Sequence, residues 1–220
     1  MEQLTTKKLF YGKWPYKIEC HVTGSTNITR MGVAGVKSWC NGRLSVLSSS
    51  NGVNKAILLA FVKKIEKFYD KDLQFRAETN RFNIFCRDKV LLDKMINDLQ
   101  AWVYSVTIPA NDQEYEFLLE NGHKKVICDD IPFKKYQYKM YIKESMLLDQ
   151  REKFFNWISK YPDTIRVANS TKKWLQGGRN WIQDPFIYVS DQKMMSMLLL
   201  YLGDHTKRIN EFIPRSSINT

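Results

Sequence analysis

The chain has 220 residues, of which 44% are hydrophobic and 26% charged; this is enough apolar material for one or two cored domains and excludes a wholly disordered chain. Its 34 lysines and arginines against 23 acids leave a formal net charge of +11, which favours polyanionic partners because neutralised phosphates release counterions. No apolar run reaches the ~18 residues of a membrane helix, and residues 1–10 hold no apolar stretch of the signal-peptide kind, so the expectation is no membrane and a cytoplasmic protein, in a host cytoplasm if this compact basic chain is viral.

Taken in chain order, Lys13-Trp14-Pro15-Tyr16-Lys17-Ile18-Glu19-Cys20 reads as the entry into a strand. The stretch Val22 to Asn54 is punctuated by Gly24, Gly32, Gly35, Gly42 and Gly52. It predicts a hairpin or mobile insertion, with Lys37, Trp39 and Arg43 available to fold on a partner. From Asn54 to Tyr69 the apolar residues Ile57, Phe61, Ile65 and Phe68 recur at helical spacing. Strands follow at Gln74–Ala77 and Phe82–Arg87. Asp88 is placed to cap a helix over Lys89–Tyr104, and Val106–Pro109 closes the run.

Residues 111–131 form an acidic linker, with a short helix expected over Glu114–Glu120. The second half then repeats the first. Strand Lys135–Ile142, helix Leu147–Lys160, and strands Ile165–Ala168 and Phe186–Ser190 are followed by a capping Asp191, helix Gln192–Leu202 and strand Ile209–Pro214. Both halves open on Lys-x-x-Tyr-Lys. The order β-α-β-β-α-β, twice, predicts an α+β fold of two tandem ferredoxin-like modules with antiparallel sheets. They cover residues 1–110, with the insertion at 22–54, and residues 132–220.

Charge follows the same division. Residues 1–110 carry 17 basic against 9 acidic residues, a balance of +8; residues 132–220 carry 15 against 8, a balance of +7; the linker has 2 against 6, a balance of −4. Two basic modules on an acidic joint suit a role in binding nucleic acid better than a charge serving solubility alone.

A sheet with helices on one face leaves the other free, and side chains alternate between the faces. In the second module this sends Lys139, Tyr141 and Lys143 outward, with Phe186 and Tyr188 beside them. That is an aromatic and cationic surface whose layout resembles RNA-recognition modules, which stack single-stranded bases on sheet aromatics. The weaker counterpart in the first module is Lys17, Glu19, His21, Asn83, Phe85 and Arg87, of which Lys17, Phe85 and Arg87 are the nucleic-acid candidates. A second candidate is the loop from Thr171 to Trp181, where Lys172, Lys173 and Arg179 offer phosphate contacts and Trp174 and Trp181 offer stacking.

These residues predict binding of RNA or single-stranded DNA. An interaction subunit or inhibitor is the alternative, with the Met- and Leu-rich segment 193–202 as a protein-binding or homodimer face. Tandem modules of this kind also resemble the Cas6-type CRISPR RNA endonucleases. That likeness implies metal-independent ribonuclease chemistry, for which His21 beside Lys17, or His205 beside Lys207 and Arg208, are the candidates. Those enzymes carry a glycine-rich loop where Arg208 to Thr220 has no glycine. No cofactor or metal is expected: Gly177-Gly178 is not followed by the Lys-Ser/Thr of a Walker loop, no His-x-His occurs, and Cys20, Cys40, Cys86 and Cys128 are too scattered for a zinc site and read as reduced thiols.

Overall fold

A computed structural model describes residues 1–43, 52–69, 71–122, 124–178 and 182–218. Over these the chain is a mixed α+β protein with two five-stranded sheets and seven α-helices. It divides into two units, Met1–Gly122 and His123–Thr220, each treated by itself.

The first unit runs β1 (Glu2–Thr5), β2 (Tyr16–His21), α1 (Thr26–Cys40), α2 (Lys55–Ile65), β3 (Leu73–Glu78), β4 (Arg81–Cys86), α3 (Lys89–Leu99), β5 (Val103–Ile108) and α4 (Asp112–Asn121). Its sheet order is β1-β5-β2-β4-β3. β5, β2, β4 and β3 pair antiparallel, and β1 adds to β5 in parallel. Alternation along β2 and β4 sends Ile18, Cys20, Phe82 and Ile84 into one core with Phe61, Ile65, Met95 and Leu99 of the helices. Helix α2 starts on the Asn54 side chain, which accepts from Ala56 and Ile57 amides, and α3 on Asp88, which accepts from Val90 and Leu91.

The second unit runs β6 (Lys125–Cys128), β7 (Tyr138–Ile142), α5 (Leu148–Ile158), β8 (Ile165–Val167), α6 (Asn169–Leu175), β9 (Phe186–Val189), α7 (Gln192–Leu202) and β10 (Thr206–Pro214). The sheet order is β6-β10-β7-β9-β8, again with one parallel edge pair, β6 on β10. Met140, Ile142, Ile187 and Val189 meet Phe154, Ile158, Trp174, Leu175, Met195 and Leu198 in a second core. Asp191 caps α7 by accepting from the Met194 amide.

Several expectations are corrected. The sheets are mixed, not purely antiparallel, because short segments outside the expected elements, Glu2–Thr5 and Lys125–Cys128, join as parallel edge strands. The latter lies in the expected linker, which also supplies α4. The insertion at 22–54 holds a 15-residue helix, α1, not a hairpin or loop. Ile28, Val36 and Trp39 bury one side of it, and Gly32, at φ 67°, breaks its backbone where a side chain would be strained. On α2 the buried stripe is Leu58, Phe61, Val62 and Ile65, and Ile57 is exposed. The expected helix to Tyr104 ends at Leu99, and Val103–Ile108 is strand.

Cys20, Cys40, Cys86 and Cys128 form no disulfide, and burial pushes the thiols of Cys20 and Cys86 up to about 12. Among the described residues no group of His, Cys, Asp and Glu could hold a metal ion, and no helix is long and apolar enough to cross a membrane.

Candidate nucleic-acid interface

All three helices of the second unit pack on one face of its sheet. The opposite face is built by residues that alternate with the core. Register places Lys139 across from Tyr188 and Tyr141 across from Phe186 on β7 and β9. It adds Arg166 beside Tyr188 from β8, and Arg208 beside Tyr141 with Asn210 beside Lys139 from β10.

The rings form a connected surface. Tyr141 and Phe186 lie 5.8 Å apart, Phe186 and Tyr188 5.4 Å, and Tyr188 and Phe212 6.4 Å. Two further rings come from the connection between β6 and β7: Phe133 at 5.5 Å and, buried beneath the surface, Tyr136 at 6.2 Å from Tyr188. Phe133 is 57% exposed. Such a cluster keeps apolar ring faces near water, a state that has a cost unless a partner covers them.

The cations of this face lie over rings. The Lys139 ammonium is 3.6 Å from the Phe186 centroid, 4.7 Å from Tyr141 and 5.8 Å from Tyr188. Arg166 is 4.0 Å from Phe133, and Arg208 is 4.0 Å from Tyr141. Among the described residues no carboxylate pairs with Lys139 or Arg166, whereas Arg208 has Asp184 at 3.8 Å. Burial opposes ionisation of the Tyr141 phenol, but Lys139 and Arg208 outweigh it and hold the group below its ordinary value. The same field that favours a phenolate favours a phosphate oxygen.

The remaining sequence candidates fall elsewhere. Lys143 is exposed just past β7, its amide donating to the His205 carbonyl. Lys172 and Lys173 are exposed on α6, with the Lys172 ammonium 6.0 Å from the ring of Phe155 on α5, so they belong to the helix layer. Trp174 is corrected outright. It lies on a helix, not a loop, is fully buried in the second core with Arg151 stacked 4.3 Å from its ring, and offers no surface to a base. Arg179 and Trp181 lie outside the described residues. On α7, Met194, Met195, Leu198 and Leu202 are buried while Leu199, Leu200 and Tyr201 are exposed.

The first unit's open face is arranged differently. Phe85 is only 4% exposed, because Phe10 and Tyr11 of the β1–β2 connection pack on it at 5.3 and 5.1 Å. Burial removes it as a stacking platform. Lys17 pairs with Glu19 at 2.9 Å, and Arg87 donates to the Lys13 carbonyl. His21 stacks on Tyr104 at 4.2 Å, and its Nε2 is 3.4 Å from Glu19, which also has Arg81 at 3.5 Å. Burial works against ionisation of Glu19, yet Lys17, Arg81 and His21 outweigh it and hold its carboxyl below the ordinary value. His205 sits in the turn before β10, and Lys207 next to it is neutralised by Glu144 and Asp184 at 3.0 and 2.8 Å.

Sequence reasoning missed Phe133, Tyr136, Arg166, Arg208 and Phe212 as members of the ring surface. The one local trace is an aromatic shortly before Lys-x-x-Tyr-Lys in each half, Phe10 and Tyr11 in the first and Phe133 alone in the second, and it does not by itself place a ring on the sheet. Compared with known proteins, this chain matches no family model, no curated protein and no solved structure.

Proposed function

We propose that the protein binds RNA or single-stranded DNA through the open face of its second unit, and that each unit is a ferredoxin-like βαββαβ module extended by one parallel edge strand. The module reading is supported by the order β5-β2-β4-β3 and its counterpart β10-β7-β9-β8, each antiparallel with helices in the connections β2–β3 and β4–β5, and β7–β8 and β9–β10. The binding reading rests on one observation: Lys139, unpaired by any described carboxylate, stands among Tyr141, Phe186 and Tyr188 on a surface that the unit's own helices leave uncovered.

Bases would stack on the rings, an interaction every base can make, and the cations would turn from ring faces to phosphates. If Lys139, Arg166 and Arg208 each neutralise one phosphate, log affinity should fall with log salt at a slope of about −2. Fluorescence anisotropy with labelled single-stranded RNA and DNA across a salt series measures this. Tyr188→Ala and Lys139→Ala should weaken binding. Failure of the protein to bind any oligonucleotide at low salt overturns the reading, and co-purification with an acidic protein in place of nucleic acid would favour an interaction subunit.

A second reading, metal-independent RNA cleavage in the first unit, is favoured only by the contact of His21 with Glu19, which orients the imidazole, beside the cations Lys17 and Arg81. Incubation with labelled RNA in chelator tests it: cleavage lost on His21→Ala supports it, and intact RNA removes it.

A further inference from the structure

The rings Tyr11 and Phe133 occupy the same backbone turn in the two units. Tyr11 and Gly12 have φ of 52° and 67°, and Phe133 and Lys134 have 56° and 54°. Amides of Gly12, Lys13 and Trp14 donate to carbonyls of Leu9, Phe10 and Phe10, and those of Lys134, Lys135 and Tyr136 to carbonyls of Ile131, Pro132 and Pro132. Left-handed backbone is costly for a bulky aromatic, and Gly or Asn is the usual occupant. In the second unit two successive side-chain-bearing residues carry that cost. Backbone held this way persists only where its surroundings fix it, and such positions cluster at functional sites.

In the first unit that cost is repaid. Tyr11 meets Phe85 edge to face at 90°, completes its burial, and its hydroxyl accepts from Arg76 at 3.1 Å. Phe133 is as exposed as Tyr11 but has no hydroxyl to satisfy. It meets the buried Tyr136 edge to face at 82° and stands at 76° to Tyr188, which it leaves half-buried, and Arg166 lies 4.0 Å from its centroid.

We infer that Phe133 is a base-stacking ring that its left-handed turn holds exposed and steeply inclined to the Tyr188 ring, and that it restricts the ligand to unpaired bases. This rests on the nucleic-acid reading above and assigns its substrate class. An exposed ring inclined at 76° to its neighbour on the platform leaves no flat surface for a rigid duplex. An unpaired base can rotate about its backbone and stack on the same ring. Arg166 supplies positive charge beside that base, and the uncompensated cations Lys139 and Arg166 match a phosphate chain as the occupant.

The test compares wild type, Phe133→Gly and Phe133→Tyr for binding to a labelled single strand and to a duplex of the same sequence, with thermal melts alongside. Glycine suits the left-handed position, so Phe133→Gly should keep the turn and the melting temperature. Its single-strand affinity should fall roughly five- to a hundredfold, the range of one lost stacking contact, and the preference for single strand over duplex should narrow. Phe133→Tyr should bind within about twofold of wild type, since the stacking ring is kept. If Phe133→Gly binds single strands as tightly as wild type while Tyr188→Ala weakens them, the inference fails and the sheet reading stands. If wild type binds no strand, both fail.

Discussion

Phe85 faces Lys17 across β2 and β4, and Tyr188 faces Lys139 across β7 and β9. The two pairs hold the same register position, beneath the same turn, yet their surroundings diverge. In the first unit a carboxylate, Glu19, holds Lys17 at 2.9 Å, and Phe10 and Tyr11 seal Phe85. In the second unit the position of Glu19 is taken by Tyr141, so Lys139 has rings and, among the described residues, no acid paired with it, and the face stays half open. One strand position, acid or aromatic, thus decides whether a lysine is spent inside the protein or kept for a partner.

The comparison breaks most sharply at the two central rings. Phe85→Ala removes a buried side chain and should cost about 3–5 kcal/mol of stability, read from chemical denaturation, with little change in oligonucleotide affinity. Tyr188→Ala should do the reverse. It should lose about 1–3 kcal/mol of single-strand binding and less stability, because its ring is half-buried. Equal effects of both substitutions on binding would erase the distinction between the faces.

The helix caps offer a smaller, shared effect. Asp88 and Asp191 each accept amide hydrogen bonds at the start of a helix, and each Asp→Ala should cost about 1 kcal/mol without altering binding. The Asp191 carboxyl is held below its ordinary value, first by the Ser190 hydroxyl and then by the Met194 amide.

The subtlest difference is in acid. Because the folded Glu19 carboxyl lies below its ordinary value, its stabilising contribution is complete above the usual carboxylate range and is lost as pH falls through that range toward the folded value. Glu19→Gln should therefore flatten the decline in melting temperature on the acid side. Tyr141, in the corresponding place, is a neutral phenol in acid and adds no acid-side loss of its own. A wild-type melting temperature that Glu19→Gln leaves equally sensitive to acid would show that the cluster carries no such linkage.

Much of the candidate site could be read from local pattern. Two-residue alternation is a property of a strand alone, so Lys139, Tyr141, Phe186 and Tyr188 could be assigned to one face before any pairing was known. Phe133, Tyr136 and Phe212 could not. Two come from a turn whose Pro-Phe-Lys-Lys sequence carries none of the usual signals for left-handed backbone, and the third from a strand whose register depends on its neighbours. Trp174 lies outside the expected loop because Thr171, Trp174 and Leu175 bury one side of a short helix, a contact set by the core they pack into.

By itself the sequence determined what depends on near neighbours: the helical stripes, the strand alternation, the aspartate caps, the order of the main elements in each half and the basic balance of both. Only the tertiary structure decided which short segments joined as parallel edge strands, that residues 26–40 are a helix serving the first core, and which open face closes. Those outcomes depend on contacts between residues far apart in the chain, where burial of a ring or pairing of a charge is set by what folds against it and not by the residue's own neighbours.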